Sequence, residues 1–237
     1  MARATAFCSM ALAVLVAAWA ASSAPAACAE PDSSPLKAPL EQYMMPADAE
    51  VALARSAAPP ALSADATILV LTTRGYDVAA KGTNGFTCVV ERGWTSPFDQ
   101  VDFGNPKIRA PVCYNAQAVR TVLPYGIERT RLVLAGMTTA QMHAKIEKDV
   151  ADKVLVPPEA GAMSYMMSKD QYLGDRATHW HPHLMFHVAR TDAAAWGANY
   201  DASPIIIDTS HHDVPEPQTI FMMTVNHWSD GTEAHSH

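Results

Sequence analysis

In "HWHPHLMFHVA", residues 179–189, apolar side chains alternate with histidines along the chain. Successive side chains of a β-strand point to opposite faces of a sheet. The even-numbered positions in 180–188 are all apolar, whereas the odd-numbered positions in 179–187 hold four histidines and one methionine. We therefore expect a strand that turns its even-numbered face towards the core and its histidines towards the other side.

Runs of β-branched and aliphatic residues predict further strands before and after a helical region. Within that region Asn115 is suited to cap one helix, Pro124 interrupts it, and Thr138 with Gln141 has the spacing of a capping box. The predicted strands are residues 66–71, 161–167, 183–189, 203–207 and 219–225, and the helical region is 115–152. This order indicates an α+β domain with a largely antiparallel sheet and a central helical block packed on one face.

A hairpin is also predicted, because Asn84-Gly85 is a preferred pair for a two-residue turn between antiparallel strands. Counting outward from that turn pairs residues 77–83 with residues 86–92 and places Lys81 opposite Cys88. On this register Cys88 shares a face with the apolar side chains of its own strand.

The N-terminus has the composition of a secretory signal peptide, which we assign to residues 1–29. One positive charge, Arg3, precedes an apolar run over residues 10–21, and small residues follow. That run is shorter than the ~20 residues needed to span a bilayer. We therefore expect an exported protein, periplasmic or secreted. A lipoprotein anchored through Cys28 is the alternative, although Pro25 stands where such signals usually carry leucine.

Domain organisation after the signal peptide is expected to be simple. Residues 30–62 are rich in proline and alanine and are interpreted as a linker with a short helix, which Pro59-Pro60 ends. Residues 63–231 are predicted to form a single α+β domain. Residues 232–237 are expected to be a flexible, histidine-containing tail.

The cysteines point to an oxidising compartment. Once residues 1–29 are removed, Cys88 and Cys113 are the two that remain. An even pair in an exported chain predicts a disulfide, and two separately buried thiols are the alternative.

The charge balance disfavours some partners. Removing residues 1–29 takes away one basic residue, Arg3, and no acidic one, so the formal charge of −7 becomes −8. A nucleic-acid or anionic-membrane surface requires basic patches. We therefore expect no nucleic-acid partner, and nothing after residue 29 predicts a membrane span.

The histidine face is the candidate site. His179, His181 and His183 are each two residues apart along the chain. On a strand, two imidazoles at this spacing can lean towards each other and bind one ion. Pro182 is disfavoured inside a sheet, so His179 and His181 are expected in the loop that enters the strand. We predict a transition-metal site at these three residues, with zinc or copper as the metal; copper is considered because methionines are abundant nearby.

A catalytic metal would also need a proton acceptor, for which Glu91, Tyr165 and Asp192 are the candidates. His227, just after a predicted strand, is the candidate remote ligand. His211 and His212 add imidazoles elsewhere in the chain.

Two classes of function remain open. The first is an exported metal-dependent protein, either metal-handling or hydrolytic. The second is a non-catalytic, disulfide-stabilised binding or structural module whose histidines carry no metal. Its partner in either case is an unknown small molecule or a metal ion. The chain contains no G-x-S-x-G, Walker, G-x-G-x-x-G or H-E-x-x-H motif, so no familiar catalytic signature chooses between the two classes.

Four stretches together carry a resemblance: "GTNGFTCVVERGW", "NPKIRAPVCYN", "GAMSYMMS" and "HWHPHLMF". The chain resembles uncharacterised exported bacterial proteins that share these stretches over nearly the whole predicted domain. The resemblance implies export and a common domain. It implies no activity, and no residue roles follow from it.

Overall fold

A computed structural model describes residues 33–176 and 179–234. The signal peptide assigned to residues 1–29, with Cys28, lies outside the described residues, as do His235 and His237 of the predicted tail. No helix within the described residues is both long enough and apolar enough to cross a bilayer.

The centre of the molecule is an eight-stranded sheet in the order β2-β1-β3-β4-β5-β6-β8-β7. The strands are β1 Thr67–Thr72, β2 Gly75–Ala80, β3 Thr87–Glu91, β4 Ala110–Tyr114, β5 Met163–Met166, β6 His183–Ala189, β7 Ile205–Ile206 and β8 Gln218–Thr224. Neighbouring strands are antiparallel except β1 and β3, which run parallel. The predicted α+β class with a largely antiparallel sheet is confirmed.

Within the described residues, five α-helices accompany the sheet: α1 Ala47–Arg55, α2 Pro60–Ser63, α3 Ala116–Thr121, α4 Leu123–Leu134 and α5 Thr139–Ala151. Their ends follow local signals. The Asn115 side chain accepts a hydrogen bond from the backbone N–H of Ala118, and Thr138 with Gln141 forms the predicted capping box. The block α3–α5 covers one face of the sheet, which we call the helical face, and α1 packs on the opposite face.

Both faces of the sheet carry buried apolar side chains. On the helical face, Trp94, Leu132 and Met142 belong to one cluster, and Val89 and Val112 belong to a second. On the opposite face, alanines of the α1 region pack over the Cys88–Cys113 pair. These two cysteines lie directly opposite each other on β3 and β4 and form the predicted disulfide.

The predicted hairpin at Asn84-Gly85 is wrong. β2 pairs with β1 across a turn that ends at Gly75, and β3 joins β1 in parallel. After β2 the chain passes so close to the Asp65–Thr67 segment that a Cβ at Gly82 would lie 2.3 Å from its backbone atoms, and the backbone N–H of Thr83 donates to the carbonyl of Asp65 at 2.8 Å. Asn84 instead accepts from the backbone N–H of Phe86 at 3.0 Å, so its side chain forms a local turn of its own.

The alternation along β6 is confirmed, but the predicted core face is wrong. Leu184, Phe186 and Val188 are only half-buried, whereas His183 and His187, on the other side, are each 2% exposed. The helical block covers the histidine side. The opposite side of β6 and β8 is covered by a 3-10 helix, Ala193–Trp196, which buries Phe221 completely and leaves the apolar side chains of β6 partly accessible.

Residues 33–46 differ from the expected linker because they pack on the domain. The Tyr43 side chain is fully buried, its ring centroid lies 5.0 Å from that of Trp94, and its hydroxyl donates to the carbonyl of Gly104 at 2.7 Å. The described chain from residue 33 onward therefore belongs to one compact unit. The short helix predicted before Pro59 is present as α1.

Candidate functional site

A cavity of about 440 Å³ lies on the helical face, between the sheet and α4. Side chains of β3, β4, β6 and β8 form its floor, Tyr125, Gly126 and Arg129 of α4 form one wall, and residues of the 207–216 connection form another. This volume is within the range of small-molecule sites in proteins. We call it the α4 cavity.

The strand register explains which side chains reach the α4 cavity. Met185 of β6 pairs with Met222 of β8, and His187 pairs with Ile220, so these four side chains share the helical face. Side chains alternate along each strand, and all four line the cavity. Three of the four, Met185, Met222 and Ile220, therefore give this part of the floor an apolar surface.

Glu91 supplies the carboxylate on the floor of the α4 cavity. The Tyr114 hydroxyl donates to its Oε1 at 2.7 Å. Gly126 of α4 lies opposite, where a Cβ would approach Glu91 Oε1 to 3.1 Å, so the absence of a side chain leaves room for the carboxyl group. Burial raises the pKa of Glu91 above its usual value, although hydrogen bonds from Tyr114 and Thr95 and the charge of Arg129 act in the opposite direction. Such a group can hold or release a proton, or act as a counter-ion.

His187 is a neutral part of the floor. Its Nδ1 lies 3.2 Å from Gln218 Oε1 and its Nε2 lies 2.9 Å from Ser164 Oγ. An amide oxygen can only accept, so Nδ1 carries the proton and Nε2 accepts from the serine hydroxyl. Burial lowers the pKa of His187 to about 4. Ser164 is fully buried and is not part of the cavity wall, so this pair positions the imidazole and offers no accessible nucleophile.

Arg129 and Glu216 join α4 to the connection that closes the α4 cavity. Arg129 Nε and NH2 donate to the two carboxylate oxygens of Glu216 at 2.7 and 3.0 Å. Both side chains are almost completely buried. The guanidinium also donates to the carbonyls of Trp94 and Ser96 and lies 4.2 Å from the centre of the Phe98 ring. This bidentate pair holds the wall in place.

The structure does not gather the three predicted metal ligands around one point. His179 is exposed with its ring 6.0 Å from that of Trp228, and His181 is half-buried. His183 is buried, and its Nδ1 lies 2.7 Å from the carbonyl oxygen of His181, to which it donates. Within residues 33–176 and 179–234 no group of three or more His, Cys, Asp or Glu side chains is arranged to hold a metal ion. Zinc or copper binding at His179, His181 and His183 stays a prediction.

The remaining candidates are dispersed. Of the three proton acceptors, Glu91 lines the α4 cavity, Tyr165 packs near Phe86 on the opposite face, and Asp192 precedes the 3-10 helix. His227 is exposed, and its backbone forms an isolated antiparallel β-bridge with that of Glu233.

The sequence did not place other residues of the cavity. His211 and His212, noted in the sequence only as further imidazoles, line the α4 cavity from the 207–216 connection. Arg129 and Glu216 were also missed, because they are 87 residues apart and no local pattern links them.

No protein-family model matches this chain, and no curated protein or solved structure is significantly similar to it. The resemblance to uncharacterised exported bacterial proteins therefore stays a prediction.

Proposed function

We propose that this protein is an exported small-molecule-binding protein whose ligand occupies the α4 cavity. The observation that carries the proposal is the Glu91–Tyr114 pair, a hydrogen-bonded polar group in a cavity of about 440 Å³ that both polar and apolar side chains line. Positioned polar groups beside apolar surface in a concave site of this size are typical of ligand sites. Export is supported by the composition of residues 1–29 and by the Cys88–Cys113 disulfide.

The rigidity of the walls supports binding as well. Ser164 and Gln218 fix the His187 ring, and Glu216 fixes Arg129, so these polar groups do not need to reorganise when a ligand enters. Pre-organised walls reduce the entropic cost of binding. The metal-dependent alternative lacks support of this kind from the described residues.

The proposal is tested with N-phenyl-1-naphthylamine, a neutral apolar fluorophore small enough for the α4 cavity. We expect saturable, one-to-one enhancement of its fluorescence by the mature protein. Gly126→Leu should abolish that enhancement, because the added side chain projects towards Glu91 and Thr95. Ile127→Leu, at a largely exposed position of the same helix, is the matched control and should bind like the parent.

Circular dichroism of Gly126→Leu separates a blocked cavity from an unfolded protein. Fluorescence enhancement that persists unchanged in a folded Gly126→Leu variant, or that does not saturate in the parent, would contradict the proposal.

A further inference from the structure

Within the described residues, no lysine, arginine or histidine forms an ion pair with the Glu91 carboxylate, which accepts a hydrogen bond from the Tyr114 hydroxyl. Arg129 is near enough to influence Glu91 electrostatically, but its guanidinium is already engaged by Glu216, Trp94 and Ser96. Glu91 is half-buried, and a carboxylate partly removed from water without a direct counter-charge is less stable than a paired one.

The surfaces beside Glu91 suit an organic cation attached to an apolar body. Tyr114 and Tyr125 line the α4 cavity, and Met185 and Met222 lie on its floor. Aromatic rings attract cations through their negative faces, and methionine adapts to irregular apolar shapes.

The other charges of the wall do not offer an equivalent site for an anion. Arg129 and Glu216 neutralise each other. Arg190 is exposed, and its NH2 group donates to the carbonyls of Val214 and Glu216 at 2.9 and 2.7 Å. These hydrogen bonds hold the 207–216 connection in place. Asp208 adds a further negative charge to the wall, and the whole chain carries a formal charge of −7. A negative protein attracts cationic ligands over long range.

We propose that the ligand of the α4 cavity carries an amine or another organic cation, for which Glu91 is the counter-ion. This inference rests on the proposed binding function and names the chemical class of the ligand. The cationic group of the ligand would supply a counter-charge to Glu91, and the apolar part of the ligand would contact the methionines and tyrosines of the cavity.

The test compares two probes that share an apolar body: 4-phenylbutylamine, which is a cation at neutral pH, and 4-phenylbutanol, which is neutral. Titration calorimetry with the parent protein should show the amine binding at least about ten-fold more tightly than the alcohol. In Glu91→Gln the amine should lose that advantage, while the alcohol binds as before. The glutamine oxygen can still accept from Tyr114, so the variant keeps that hydrogen bond.

Asp208→Asn is the matched control, because it removes a different carboxylate from the wall of the same cavity. It should retain most of the preference for the amine. Equal affinities of the two probes in the parent, or no amine binding by a protein that still binds the neutral fluorophore, would overturn the cation proposal and leave the cavity proposal intact. Absence of saturable binding of the neutral fluorophore would contradict the binding function itself.

Discussion

Glu91 and His187 show how burial acts in opposite directions on two groups of one cavity. Burial raises the pKa of the carboxyl group and lowers that of the imidazole, because in both cases the charged form is disfavoured away from water. Each change favours the neutral form of its own group. A cation bound beside Glu91 would act against the effect of burial and favour the charged carboxylate.

His187 makes the stability of the protein depend on pH. Its pKa of about 4 in the folded protein lies below the ordinary value of 6.5, so the unfolded chain binds a proton first as the pH falls. The stabilisation is complete above about pH 6.5 and is lost progressively towards pH 4. Because the unfolded chain binds this proton more tightly, titration of His187 alone should lower the free energy of unfolding by about 2 kcal/mol between neutral pH and about pH 5.

Urea unfolding of the parent and of His187→Gln at about pH 7.5 and pH 5 measures this effect. The variant lacks the titrating ring, so its unfolding free energy should fall by about 2 kcal/mol less than that of the parent over the same interval. Parallel losses in the two proteins would show that His187 does not titrate as its burial requires.

Short-range sequence signals identified helices and strands but not which strands pair with each other. Asn115 and the Thr138–Gln141 box act within one turn of chain, and the structure has both. Asn84-Gly85 is an equally local signal, yet the pairing of β1 with β3 in parallel overrides it. That pairing depends on contacts between distant segments, which a dipeptide does not encode.

The candidate site was predictable only in part for a similar reason. The period-two pattern of β6 places His183 and His187 on one face, as observed. Whether that face meets solvent or helices depends on where the block α3–α5 packs. Glu91 was identified as a candidate proton acceptor for its chemistry, whereas its place in the α4 cavity depends on Gly126 of a different element.

Substitutions of His181 and His183 can distinguish a role in packing from a role in metal binding. His183 is buried against Trp180, with ring centroids 4.6 Å apart, whereas His181 is half-buried. We expect His183→Ala to lower the unfolding free energy by about 2 to 3 kcal/mol and His181→Ala by less than about 1 kcal/mol. Chemical denaturation measures both.

Elemental analysis of the same tag-free variants, purified without chelator, tests the predicted zinc or copper site. Near-stoichiometric metal in the parent that falls in both variants would support the site. Metal content that does not respond to either substitution, together with destabilisation by His183→Ala, would assign His183 to packing. Equal stability of the two variants would contradict the burial described for His183.

Export and the Cys88–Cys113 disulfide are expected together, because a stable disulfide needs an oxidising compartment. The Cys88–Cys113 bond joins strands of the central sheet beneath α1, and it closes a loop with a sequence separation of 25 residues. A loop of this length stabilises a fold by roughly 3 kcal/mol on the chain-entropy model. Such a bond forms in the compartment that a signal peptide reaches and is rare where thiols are kept reduced.

The full chain, expressed in bacteria, should therefore be recovered from the periplasm with residues 1–29 removed and with the two remaining cysteines oxidised. Intact mass spectrometry with and without reductant measures both properties in one sample. Reductant should lower the denaturation midpoint of this protein and leave that of a Cys88→Ala/Cys113→Ala variant unchanged. A chain that keeps its N-terminus and has free thiols in the cytoplasm would contradict export, and with it the setting in which the α4 cavity is proposed to meet its ligand.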